Sequence, residues 1–296
     1  MREEQDGGWM FRWLGPLAPN GFLGQVATIS AIFVVLGASA FLLWNHFHED
    51  VITQPDYQLD ASRIEVTPQP SWIRTDVKAE AIEAGGLDNL NIRQEDLTPR
   101  VAQAFLMHSW VAKVHQCTKE FPAKVTVSVE YRRPVAMVKV AEGYLPVDRE
   151  GFLLPPGDFT QAEAAAYPRI FADAATQLGP VGTAWGDPRI HGAAAVVDAL
   201  AKYWKSLGLY GVVATYRRAA GASSSQPEFE LRTSGETKII WGSAPGQEAL
   251  GEAHYEVKVA RLREFHDQNG SLDAVGPGRV IDLRRTDRLY VARLPE

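Results

Sequence analysis

Apolar residues crowd into one stretch of this chain and are spaced out everywhere else. Residues 21–44 carry no charge and include the run Ala31, Ile32, Phe33, Val34, Val35, Leu36. That pattern predicts a helix ~36 Å long at 1.5 Å per residue, enough to cross a hydrocarbon core of about 30 Å. Ala38-Ser39-Ala40 has the small-x-small form of a signal-peptide cleavage site. The apolar run nevertheless continues through Phe41, Leu42, Leu43 and Trp44, so an uncleaved anchor is the expectation. Arg2 and Arg12 precede the span and no basic residue lies between Trp44 and Arg63. This bias predicts a cytoplasmic tail, residues 1–20, with Trp9, Phe11 and Trp13 near the interface, and everything after Trp44 outside.

Beyond the span the periods shorten. Residues 45–60 are polar without apolar periodicity and read as a linker. Residues 61–133 predict strand, helix, helix, strand, strand. Ile64 and Val66 alternate in a short strand before Pro68. Trp72, Ile73, Val77, Ala81 and Ile82 recur at helical spacing up to Gly85-Gly86. Thr98-Pro99 opens a second helix with Val101, Ala104, Phe105 and His108 on one stripe. Val111, Val114 and Gln116 mark a strand, and Val125, Val127, Val129 and Tyr131 alternate with polar residues in the clearest strand of the chain.

The remainder, 134–296, predicts a β-rich domain with flanking helices. Paired strands are expected at 135–140 and 144–147, followed by a turn at Asp148-Arg149-Glu150-Gly151, and a helix over 193–207. A strand follows at 212–216, a flexible loop at 221–226, and a hairpin from 229–232 and 238–241. A second helix carries Tyr255, Val259, Leu262 and His266 on one stripe, and strands at 279–283 and 289–292 follow. The segment 161–189, rich in Ala, Gly and Pro, predicts no element. The fold class is therefore α+β behind a single transmembrane helix.

Composition narrows the function. The chain has 30 basic and 36 acidic residues, a formal charge of −6 and no basic stripe, which argues against nucleic-acid binding. Its one cysteine, Cys117, permits no intrachain disulfide and no Cys-rich zinc site. His46 and His48 lack a nearby third ligand, so no metal or other cofactor is expected. No nucleophile elbow, P-loop, His-Glu-x-x-His or dinucleotide fingerprint occurs. Cys117 and His115, two apart on a strand, would share a face but have no orienting third group; packing is the simpler reading. Asp148, Asp187 and Asp282 sit beside Gly, Pro or Arg, where turn-forming and solvated roles suffice. The missing motifs favour a binding or scaffolding role over catalysis.

Three signatures in order along the chain carry a family resemblance. His108-Ser109-Trp110-Val111 leads to Phe121-Pro122-Ala123-Lys124-Val125-Thr126-Val127-Ser128-Val129-Glu130-Tyr131-Arg132-Arg133-Pro134-Val135-Ala136. Leu145-Pro146-Val147-Asp148-Arg149-Glu150-Gly151 follows, then Gly278-Arg279-Val280-Ile281-Asp282-Leu283-Arg284. With one span before them, they resemble the FtsQ/DivIB family of bacterial division proteins. The resemblance implies a POTRA domain over 61–133, an FtsQ-type β domain over 134–296, and a non-enzymatic scaffold at the division septum in the inner membrane. It also implies partners similar to FtsB/DivIC and FtsL, and a link to the septal peptidoglycan synthase.

Two surfaces are candidates for those partners. The last strand is expected to leave an outer edge free for β-augmentation, with Arg285, Arg288, Tyr290, Val291 and Arg293 supplying selectivity and favouring an acidic segment. Arg100 and Gln103, off the apolar stripe of the second helix, are candidates for recruitment. Two other classes stay open: a POTRA-type envelope secretion or assembly module, and an anchored envelope enzyme.

Overall fold

The computed structural model describes residues 22–52, 55–88, 90–217 and 225–293. The expected tail with Arg2, Arg12, Trp9, Phe11 and Trp13, and positions 221–224 of the expected loop, lie outside the described residues.

The first element, α1 (Phe22–Ile52), is an unbroken helix of 31 residues. Its stretch Gln25–His46 is long and apolar enough to cross a membrane. Side chains such as Phe33, Val34 and Phe41 are exposed and belong to neither core. The expected linker is shorter than 45–60. Polarity does not end a helix once started, and no Gly or Pro follows Trp44 until Pro55, so the hydrogen-bonded turns propagate. The far end of the same stretch is already paired: β1 (Gln58–Leu59) lies against Asn91 and Leu90.

The next region contains β2 (Ile64–Val66), α2 (Val77–Gly85), β3 (Leu90–Asn91), α3 (Leu97–Leu106), β4 (Val111–Glu120) and β5 (Lys124–Tyr131). β5 is central in a three-stranded sheet, parallel to β2 and antiparallel to β4. Helices α2 and α3 close one core through Val77, Val101 and Phe105 against Ile64, Val125 and Val127. α2 starts five residues later than the apolar spacing suggests. The Asp76 side chain accepts from the Ala79 N–H at 3.0 Å and caps the helix there, since side-chain oxygens satisfy the first-turn donors. Ile73 still enters the core from the preceding turn.

The third region carries β6 (Pro134–Val140), β7 (Gly143–Asp148), α4 (Gln161–Ala166), β8 (Arg169–Phe171), α5 (Pro188–Leu200), β9 (Leu209–Arg217), β10 (Gln226–Thr233), β11 (Lys238–Gly242), α6 (Tyr255–Asn269), β12 (Arg279–Asp282) and β13 (Tyr290–Arg293). Its eight-stranded mixed sheet runs β13-β12-β11-β10-β9-β8-β6-β7. Residues of α5 and α6, among them Val196, Leu200 and Leu262, share a core with Phe229, Leu231 and Ile281 of the sheet.

Two expectations change here. α5 begins at Pro188, because Asp187 caps it and proline suits a first turn. It ends at Leu200, and Trp204 and Leu207 stay buried from the turns that follow. The segment 161–189 is structured: Thr160 and Glu163 form a capping box for α4, and β8 lies between β6 and β9, parallel to both. A strand of three residues is too short to show a period.

The two cores meet along a polar seam. Asp158, buried, accepts from Trp110 Nε1 at 2.6 Å and from Thr75 Oγ1 at 3.3 Å. The Arg132 guanidinium donates to Asp148 Oδ2 at 2.6 Å and lies 3.7 Å from the Phe152 ring centroid. Asp148 does form the expected turn, its Oδ1 accepting from the Glu150 and Phe152 N–H groups. It is only 4% exposed, however, because Arg132 covers it, so the solvated role is corrected. Gly182, at φ +89°, brings its loop against Ser109. A Cβ there would stand 2.9 Å from the Ser109 Cα, so no larger residue fits without displacing backbone.

Candidate functional site

The β13 edge is assembled from its connections. β12 pairs in parallel with β11, and β13 turns back antiparallel to it, with Ile281 opposite Val291 and Asp282 opposite Tyr290. Arg284 holds Asp282 at two points, with Nη2 to Oδ2 at 2.7 Å, and reaches Glu228 on β10 at 2.9 Å. Burial raises the Asp282 carboxyl, but the contacts from Arg284 outweigh it and hold the group below the ordinary carboxylate range. From α6, Arg261 donates to the Arg285 and Thr286 carbonyls, and the Ala253 N–H donates to the Arg284 carbonyl at 2.8 Å. The turn before β13 is thereby pinned.

Beyond the turn the side chains are open. Arg285 reaches Asp287 at 3.2 Å, Arg288 reaches it at 3.9 Å, and all three are exposed. Both guanidinium groups also lie over the Tyr290 ring, 5.7 and 5.9 Å from its centroid. Tyr290, Val291 and Arg293 are exposed while Leu289 packs on the core. Among the described residues β13 has one strand neighbour. An antiparallel edge strand directs alternate backbone groups outward, where another chain can pair with them. The five sequence candidates thus fall together, Arg285 and Arg288 on the turn and Tyr290, Val291 and Arg293 on the edge strand that follows it.

The second candidate pair belongs to the other core and does not join this edge. Arg100 donates to the Gly86 carbonyl at 3.0 Å, covering the C-terminal end of α2, so it has structural work. Gln103 is exposed beside Leu106, and Leu106 and Met107 project at the end of α3 with 47% and 75% exposure. Sequence reasoning missed that apolar pair: helical spacing flags the stripe that is buried, and these two fall off it. Arg261 was missed for another reason, since its contacts lie more than twenty residues away in sequence.

Cys117 and His115 do not share a face. A β-bulge between Val114 and Gln116 resets the alternation. His115 is exposed and 3.3 Å from Glu130, while Cys117 packs half-buried against the first core. Burial raises the Cys117 thiol, the opposite of what a nucleophilic thiolate needs.

Lys258 is fully buried and donates to Glu252 Oε1 at 2.6 Å, its ammonium 5.1 Å from the Trp241 ring centroid. Burial lowers the Lys258 ammonium and Glu252 opposes the shift. Burial raises Glu252, yet Lys258, Ser243 and Ala249 together bring it below its ordinary value. The arrangement ties the loop after β11 to α6. Among the described residues no group of three or more His, Cys, Asp or Glu is placed to hold a metal ion. No protein-family model and no curated protein matches the chain.

Proposed function

We propose that the protein is a membrane-anchored, non-catalytic scaffold of the bacterial division machinery, similar in organisation to the FtsQ/DivIB family. On this reading α1 spans the inner membrane with the N-terminus in the cytoplasm. The β2-α2-α3-β4-β5 unit is a POTRA-like domain and the eight-stranded region is the β domain. The observation that carries the reading is β13: the last strand of a large sheet, pinned by Arg261 and Arg284, with Tyr290, Val291 and Arg293 exposed. Such an edge takes up a partner strand through main-chain hydrogen bonds while side chains select the sequence. Its arginines suit an acidic segment of a partner similar to FtsB/DivIC.

Two variants separate the contributions. Val291→Pro removes a backbone donor and should abolish pull-down of that partner from cells. Arg288→Glu with Arg293→Glu keeps the backbone and should weaken capture at least tenfold. Undiminished capture by folded Val291→Pro would discard the edge mechanism. A fluorescent fusion should gather at mid-cell before constriction; uniform envelope fluorescence through the cycle would discard the division role.

A further inference from the structure

Beside the polar seam, with Asp158 in its lining, a cleft of about 470 Å³ opens between the two cores, within the size range of ligand sites, which favour domain interfaces. One wall is Trp72 and Arg74 from the turn before α2. The opposite wall is Tyr167, after α4, with Lys202 and Lys205 from the turns after α5; Arg133 and Phe159 also line it. Its charge is unbalanced. Arg74 is paired with Glu163 at 2.7 Å. Asp158 accepts from the neutral donors of Trp110 and Thr75, which do not cancel its charge, but it is buried behind the surface of the cleft. Among the described residues Arg133, Lys202 and Lys205 are exposed and take part in no ion pair, and Asp198 is the one exposed carboxylate of the lining besides Glu163. An excess of cations is notable in a chain of net charge −6.

The walls are preformed. Trp72 Nε1 donates to the Arg132 carbonyl at 3.2 Å, and Phe159 lies edge-on to Tyr167, ring centroids 5.8 Å apart. Aromatic walls beside three exposed cations are complementary to a polypeptide that alternates carboxylates with an apolar side chain. The aromatic wall takes the apolar group by burial and the cations take the carboxylates. The volume suits about three or four residues on the scale of small-ligand pockets.

We propose that this cleft is a second binding site, distinct from the β13 edge, for a short acidic segment of a partner polypeptide.

The test uses the full chain in detergent micelles and a fluorescein-labelled pentapeptide, Glu-Phe-Glu-Leu-Glu, titrated by anisotropy. Saturable binding is expected, weakening with salt as exposed charges are screened. Lys202→Glu with Lys205→Glu, two exposed positions outside both cores, should lower affinity tenfold or more. Because the β13 edge is also proposed to take an acidic segment, Val291→Pro and the Arg288→Glu, Arg293→Glu pair should remove at most a separate binding phase and leave the one that depends on Lys202 and Lys205. The proposal is overturned if Gln-Phe-Gln-Leu-Gln binds equally well, if no saturation occurs, or if only the Arg288 and Arg293 changes weaken binding. The last result would move the acidic peptide to β13, supporting the edge mechanism while removing the cleft.

Discussion

The seam between the cores and the β13 edge are built from the same residue types, yet they do opposite things. At the seam Arg132 and Asp148 meet at 2.6 Å with side chains 8% and 5% exposed; at the edge Arg285 and Asp287 meet at 3.2 Å with 60% and 52% exposed. The buried pair has lost its water, so each charge depends on the other. The exposed pair is solvated with or without its partner and can exchange it for another chain. Burial decides whether an arginine is framework or recognition.

Removing one buried partner tests this most severely. Asp148→Ala leaves the buried Arg132 guanidinium with only the half-exposed Glu150 carboxylate at 3.7 Å and should cost on the order of 3 kcal/mol, read from denaturant unfolding followed by tryptophan fluorescence. A loss below about 1 kcal/mol would mean that water reaches the seam and the contrast fails. Trp110→Phe keeps an aromatic ring but withdraws the donor to Asp158, for a smaller loss of about 1–3 kcal/mol.

Acid titration probes the edge side. The folded Asp282 carboxyl sits below its ordinary 3.8, so it takes up a proton less readily than the unfolded one. Its stabilisation is present above that ordinary value and is lost as pH falls through the folded value. Asp282→Asn should therefore flatten the acid limb of a plot of unfolding midpoint against pH, and an unaltered limb would show that the Arg284 contact is unimportant. Asp287→Ala should change stability least, within about 0.5 kcal/mol. It also frees two arginines, so capture of an acidic partner should rise severalfold; a fall would make Asp287 part of the recognition.

Much of the fold was legible wherever a period ran long enough. Val125, Val127 and Val129 alternate in β5, and all three are buried as their spacing requires. Boundaries were less legible because caps such as Asp76 and Asp187 act through one hydrogen bond that apolar spacing does not register. The candidate residues of the edge were readable as an apolar and cationic terminal strand. The pinning of that strand was not, since Arg261 reaches Arg285 and Thr286 from another helix.

The sequence by itself determined one membrane-length helix, two successive α+β regions and the local pairing of β6 with β7 and β10 with β11, because these depend on composition or on neighbours a few residues apart. Only the tertiary structure decided that β8 enters the middle of the sheet and that β11 lies parallel to β12. It alone separated Cys117 from His115 and buried Asp148 under Arg132. Each of these depends on groups distant in sequence becoming neighbours, where desolvation, rather than residue type, sets what a side chain does.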